Sequence, residues 1–125
     1  PRTPAEAAEH LVATHRAHTL TLFEHFQTDK VGHRRIDLAP NVLLGRLDRF
    51  LGRLLTLLDP AHDTLLLTSD HGNLEDTRHT QHTRNPVPLF VYGWAAPYFT
   101  HARSLTDVTP AIATALEAAA RPAPG

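Results

Sequence analysis

A polar, histidine-rich segment between two apolar runs constrains the fold of this chain more than any other feature. The segment spans Thr68–Pro88; Leu65–Leu67 precede it and Leu89–Tyr92 follow it. Short apolar runs of this kind are typical of buried strands. Both ends of the segment are therefore expected to be fixed to one sheet. Asp70 and His71 would then lie at a strand end, where α/β folds place their ligand sites.

Three stretches have apolar residues at helical spacing. The first is predicted to run from Pro4 to about residue 17, after a capping box formed by Thr3 and Glu6. The second spans residues 40–58 and has a wide apolar stripe. The third follows Asp107, which is predicted to cap it.

Strand patterns alternate with these helices. Residues 19–26 alternate polar and apolar side chains, residues 63–69 are almost continuously apolar, and residues 87–93 form a third apolar run. Residues 94–104 are predicted to be a loop, and residues 121–125 a flexible tail. The order helix, strand, helix, strand, strand, helix predicts an α/β protein, as part of a sandwich.

Composition narrows the class of protein. At 125 residues with 42% apolar residues, the chain is long enough for one modest globular domain. A net charge of −1 does not favour nucleic acid or an acidic membrane surface as a partner. No apolar run approaches the roughly 20 residues of a membrane helix, and no leader pattern opens the chain. A soluble, cytoplasmic protein is therefore expected.

Asp29 and His33 form the first candidate pair for metal binding. They follow a predicted strand, and Gly32 between them allows a tight turn in which both side chains converge. The alternative is that they are solvated or capping groups of a surface loop. Asp37, just beyond, is predicted to be the N-cap of the next helix.

The histidine-rich segment contains two further pairs. Adjacent side chains at a strand end point in opposite directions, so Asp70 and His71 would serve two neighbouring ions; the alternative is an ordinary turn of Asp, Gly and Asn. His79 and His82 are three residues apart, and either can be the ligand. His79 is also a candidate for a group that supports a ligand or contacts substrate.

The ligand chemistry of these residues restricts the metal. The chain has ten histidines and no cysteine, so any ion must be bound by nitrogen and oxygen. The candidate ligands are Asp29, His33, Asp70, His71 and His82. This mixture of imidazole and carboxylate suits Zn²⁺ or Mn²⁺ and is too rich in nitrogen for Ca²⁺.

Five motifs, in order, resemble the C-terminal motifs of the alkaline phosphatase superfamily, nearest to the cofactor-independent phosphoglycerate mutases. They are Asp29–His33, Thr68–Asn73, His79–Thr83, Asn85–Pro88 and Ser104–Pro110. The resemblance implies that residues 1–120 are the C-terminal portion of a metalloenzyme domain with a three-layer α/β/α sandwich. The start at Pro1 is in keeping with a piece of something longer.

The resemblance also implies roles for individual residues. In that family two divalent ions share one site; the implied ligands are Asp29, His33 and His82 for one ion, and Asp70 and His71 for the other. The Ser or Thr nucleophile and a further ligand Asp lie upstream in the family and have no counterpart here. Ser69 matches a non-nucleophilic position, so no catalytic nucleophile is assigned in this chain.

The implied activity is phosphoryl transfer to or from a phosphorylated small molecule, by a phosphomutase or a phosphohydrolase that is inactive without its missing N-terminal half. The histidine-rich segment is shorter than in typical phosphoglycerate mutases, which leaves the substrate open. Arg78 and Arg84 are candidates for phosphate contact, with solvated surface charge as the alternative. Strand edges meant for the missing half would be exposed and would favour a homo-oligomer.

The sequence leaves three alternatives open. A non-catalytic metal-binding or interaction module on the same scaffold would bind metal without turnover. A sulfatase-type or phosphodiesterase-type hydrolase would differ in its nucleophile, which lies outside this chain. A domain with incidental histidines would scatter the five candidate ligands.

Overall fold

The structure, a computed structural model, describes residues 2–120 and confirms the α/β class. The longer elements are helices α1 (Pro4–His15), α2 (Gln27–Gly32), α3 (Pro40–Leu57) and α4 (Val108–Ala120), and strands β1 (Thr64–Thr68) and β2 (Leu89–Gly93). Short 3-10 helices span Ala96–Phe99 and Leu105–Asp107. The predicted tail at 121–125 lies outside the described residues. No helix within residues 2–120 is long and apolar enough to cross a bilayer.

The chain divides into two compact units. The first comprises Pro1–Leu58 and His71–Pro86, and the second comprises Asp59–Asp70 and Val87–Gly125. The part of the histidine-rich segment from His71 to Pro86 thus belongs to the first unit, whereas both strands belong to the second.

Helices α1 and α3 pack together in the first unit. The predicted capping box at the start of α1 is confirmed: the Thr3 backbone N–H donates to Glu6 at 2.7 Å, and the Glu6 N–H donates to the Thr3 hydroxyl at 3.2 Å. The apolar stripe of α3 is also confirmed, because Leu43, Phe50 and Leu54 are its buried residues. This stripe forms much of the core that supports α2.

The strand predicted at residues 19–26 and the cap predicted at Asp37, both in the first unit, are wrong. Residues 19–26 are not a strand, because a period-two pattern becomes a strand only with a ladder partner, and none is present among the described residues. Asp37 is not the cap of α3: the N-cap is Ala39, which makes no side-chain capping bond. Pro40 begins the helix instead, since its fixed φ suits the first turn.

The second unit is built on an antiparallel pair of strands. β1 and β2 pair in register from Thr64 opposite Gly93 to Thr68 opposite Leu89, which confirms that both apolar runs belong to one sheet. Its buried core comprises Ala95, Phe99 and Ala115, with Leu66, Val91 and Ile112 packed against them.

The last helix starts differently from the prediction. Ser104 is the N-cap of the 3-10 turn that leads into α4, and Asp107 is the third residue of that turn. The Asp107 carboxylate accepts from the backbone N–H of Ser104 at 2.9 Å and of Arg103 at 2.8 Å, which lowers its pKa. Asp107 therefore completes a capping box rather than capping the helix itself.

Candidate metal centre

Asp29 and His33 are brought together by helix α2. The sequence predicted a loop here, but Asp29 lies in the helix and His33 is its C-cap residue. An i, i+4 spacing places two side chains on one helix face. The Asp29 Oδ1 atom accordingly lies 3.1 Å from the His33 Nε2 atom.

The orientation of the His33 ring is fixed from outside the cluster. Its Nδ1 atom lies 2.6 Å from the carbonyl oxygen of Thr80. Because a carbonyl oxygen only accepts, Nδ1 is the protonated nitrogen, and Nε2 of the neutral ring carries the lone pair. A backbone carbonyl in this position is a common partner of metal-binding histidines, since it sets both tautomer and ring orientation.

His82 completes a group of three donors. Its Nε2 atom lies 2.9 Å from His33 Nε2 and 3.4 Å from Asp29 Oδ1. Three donors at about 2.1 Å from a tetrahedral ion would lie about 3.4 Å apart, close to the separations observed. Asp29 Oδ1 is buried and makes no hydrogen bond in the part of the chain that the structure describes. The cluster therefore fits a divalent cation, and a tetrahedral ion would take a fourth ligand in addition to these three.

His71 lies against this cluster rather than apart from it. Its ring stacks on that of His82, with centroids 3.5 Å apart and an interplanar angle of 16°, and its Nε2 atom lies 3.8 Å from Asp29 Oδ1. Asp70 is exposed and ends the first stretch of the second unit. The assignment of Asp70 and His71 to a second ion stays a prediction.

The remaining predicted site residues lie on the exposed part of the histidine-rich segment. Arg78 makes a two-pronged ion pair with Asp76, at 2.8 and 2.6 Å, and these contacts lower the pKa of Asp76 and raise that of Arg78. His79 Nδ1 accepts from the Gln81 backbone N–H at 3.3 Å. Arg84 is exposed. A role for His79, Arg78 or Arg84 toward substrate stays a prediction.

Glu75 organises the segment in a way that sequence analysis missed. Its carboxylate accepts from the Asn73 backbone N–H at 2.6 Å, from the Asn85 side-chain amide at 3.0 Å and from the Thr83 hydroxyl. The hydrogen bond from Thr83 is the main reason that the pKa of Glu75 is lowered to about 2. No local pattern reveals these contacts, since two of the partners lie eight and ten residues further along the chain.

Close packing of a glycine joins α2 to the same segment. A Cβ atom on Gly32 would overlap the side-chain oxygen of Asn73, which is buried. The side-chain amide of Asn73 in turn donates to the carbonyl oxygen of Gln81 at 3.4 Å. Gly32 thus lets the helix that carries Asp29 approach the segment that carries His82.

The chain is similar in sequence to a known family and to several curated proteins. The sequence profile of the Metalloenzyme superfamily matches residues 3–120. The chain is 32% identical to a 2,3-bisphosphoglycerate-independent phosphoglycerate mutase of Cereibacter sphaeroides, across 86% of this chain and 23% of the relative. Proteins of the same name from Coxiella burnetii and Paracoccus denitrificans are 34% and 30% identical, across 67% and 87% of this chain.

The coverage of the relatives is small. The chain spans less than a quarter of the length of these curated proteins, with shares of 23%, 18% and 23%. No solved structure matches the chain.

Proposed function

Because this chain belongs to the Metalloenzyme superfamily, we propose that residues 1–120 form the C-terminal, metal-binding portion of a metal-dependent phosphoryl-transfer enzyme. The names of the relatives support a phosphomutase that acts on a phosphorylated small molecule. The proposal also covers a phosphohydrolase, in which water would accept the phosphoryl group. The proposal assigns the nucleophile and a further ligand Asp to a part of the protein outside this chain.

The observation that carries the proposal is the convergence of Asp29, His33 and His82. One carboxylate oxygen and two imidazole nitrogens face each other within 3.4 Å, and one of the rings is oriented by the Thr80 carbonyl. Nitrogen and oxygen donors in this number suit Zn²⁺ or Mn²⁺. The Asp29 Oδ1 atom is buried beside these imidazole nitrogens, which is the position required of a carboxylate oxygen that would share an ion with them.

The residues of this chain would hold the ion and shape its surroundings. Asp29 would supply negative charge, and His33 and His82 would supply neutral nitrogen ligands. His71 stacks on His82 and limits the rotation of that ring. A bound divalent ion supplies Lewis-acid polarisation of a phosphoryl oxygen. A second ion bound by Asp70 and His71, as in the resembled family, is part of the proposal.

Isothermal titration calorimetry of the chain with Co²⁺, Zn²⁺ and Mn²⁺ tests the metal site. We expect binding by the unaltered chain and at least a hundredfold weaker binding by Asp29→Asn, because that change removes the only carboxylate of the cluster. His10→Ala is the matched control, since His10 is an exposed histidine of α1 outside the cluster, and this variant should bind as the unaltered chain does. Equal affinity of Asp29→Asn and the unaltered chain would exclude this site.

An assay of phosphomonoester turnover tests whether catalysis requires residues outside this chain. The isolated chain loaded with Mn²⁺ or Zn²⁺ is expected to show no turnover, because it lacks the proposed nucleophile. A longer form of the protein that includes the upstream region should be active. Turnover by the isolated chain would refute the missing nucleophile, and metal binding without turnover by the longer form would favour a non-catalytic metal-binding module.

A further inference from the structure

We propose that Glu75 is a positioning residue that holds His71 and His82 in place for metal binding. This inference rests on the proposed metal site. Glu75 is not one of the three donors of the cluster, so its effect would act through the backbone of the histidine-rich segment.

A backbone bridge joins the two ends of the loop between His71 and Thr83. Gly72 and Thr83 form an isolated antiparallel bridge, in which the Thr83 N–H donates to the Gly72 carbonyl oxygen at 2.8 Å. His71 immediately precedes one side of this bridge, and His82 immediately precedes the other. In an antiparallel pair these two positions are diagonal neighbours rather than directly opposite each other, and such neighbours are within reach of aromatic side chains. The bridge is therefore compatible with the stacking of the His71 and His82 rings.

Glu75 binds both sides of the bridge. One carboxylate oxygen accepts from the backbone N–H of Asn73, beside Gly72, and the other accepts from the side chains of Thr83 and Asn85. A single backbone bridge leaves the segment free to twist, whereas three additional bonds to one carboxylate restrict it. Charge-assisted hydrogen bonds of this kind are stronger than neutral ones.

These bonds occupy the Glu75 carboxylate. Both oxygens already accept hydrogen bonds, so Glu75 is poorly placed to serve as a ligand. The same hydrogen bonds, above all the one from Thr83, lower the pKa of Glu75 to about 2, so the group stays the ionised, stronger acceptor well into the acid range. Packing agrees with this role, since a Cβ atom on Gly72 would overlap the Thr83 hydroxyl and a Glu75 oxygen.

The test compares Co²⁺ binding and the Co²⁺ d–d absorption spectrum of the full chain and its Glu75→Ala variant. We expect Co²⁺ affinity to fall by about 10-fold to 100-fold, as for other groups that orient metal ligands. The band positions should also change, because His82 would bind in altered geometry. Glu75→Gln keeps one acceptor oxygen and should recover part of the affinity.

Two further variants separate positioning from general destabilisation. Thr83→Val removes one donor to Glu75 without changing the side-chain shape, so it should weaken Co²⁺ binding less than Glu75→Ala does. Asp76→Asn is the matched control, because it removes a neighbouring charge that binds Arg78 and neither side of the bridge. It should leave both affinity and spectrum unchanged.

The outcomes are distinguishable. If the unaltered chain does not bind Co²⁺, the proposed metal site fails, and the role of Glu75 fails with it. If the unaltered chain binds Co²⁺ and folded Glu75→Ala binds it with equal affinity and the same spectrum, only the positioning role is overturned. If Glu75→Ala does not fold, unchanged binding by both Glu75→Gln and Thr83→Val overturns it.

Discussion

The closeness of Gly32 to Asn73 is the residue-scale feature on which the candidate site most depends. Asn73 is buried, so its side chain has little space into which it can retreat from an added methyl group. Gly32→Ala is therefore expected to lower the free energy of unfolding by about 1–3 kcal/mol, as overpacking does elsewhere. Urea denaturation followed by circular dichroism would measure the change.

Gly52 in α3 provides the matched control. A Cβ atom there would meet nothing within 4 Å, so Gly52→Ala should raise the free energy of unfolding by about 0.5–1 kcal/mol through helix propensity alone. If the two substitutions changed stability in the same direction, the proposed packing of α2 against Asn73 would be wrong.

Individual site residues differed in how far the sequence revealed them. Asp29, His33 and His82 are three of the five ligands predicted from motifs with family spacing, and the structure brings these three together; the roles of Asp70 and His71 stay predictions. Glu75 was not predicted, because its role depends on hydrogen bonds to Thr83 and Asn85 that form only after the segment folds back on itself. The chemistry of a side chain is known from the sequence itself, whereas its hydrogen-bond partners are not when they lie many residues away.

At the scale of elements, α2 ends in an unusual way. Arg34 follows the helix with φ at +55°, in the left-handed region where glycine is usual. The Arg34 N–H donates to Val31 at 2.9 Å and the Arg35 N–H to Lys30 at 2.8 Å, which is the hydrogen-bond pattern of a Schellman motif. Arg34 thus adopts a left-handed conformation that is unfavourable for a residue with a side chain.

Two substitutions of Arg34 separate the cost of its left-handed backbone conformation from the loss of its side-chain contacts. Arg34→Gly and Arg34→Ala both lose the bond from the guanidinium to the Thr77 carbonyl, so their difference reports the left-handed conformation. Arg34→Gly should be the more stable variant by about 1 kcal/mol in thermal or urea unfolding. The same pair at exposed Arg46, inside α3, should show the opposite order by about 1 kcal/mol. Equal stabilities at position 34 would rule out the left-handed conformation.

Element predictions succeeded where the signal was local. α1, α3 and the two paired strands follow from capping residues, apolar spacing and the length of each run. Residues 19–26 failed because alternation specifies a strand only when a neighbour supplies its hydrogen bonds. The short helix α2 was missed because its six residues are too few to show an amphipathic period.

At the scale of the whole molecule, the apolar surface of residues 19–26 has a consequence for assembly. Leu20, Leu22, Phe23 and Phe26 are all exposed, and residue Leu22 is 86% exposed. Several exposed apolar side chains within one short segment favour association in water. We expect the isolated chain to associate with itself, so that its average mass in sedimentation equilibrium rises with concentration.

Substitutions in this segment should weaken that association. Leu22→Thr combined with Phe26→Thr removes two exposed apolar side chains and should shift the mass toward that of the monomer, without lowering stability, because neither side chain is buried. Leu105→Thr is the control: it removes an exposed apolar side chain from the second unit and should leave self-association unchanged. A chain that stays monomeric at every concentration would contradict self-association through this surface.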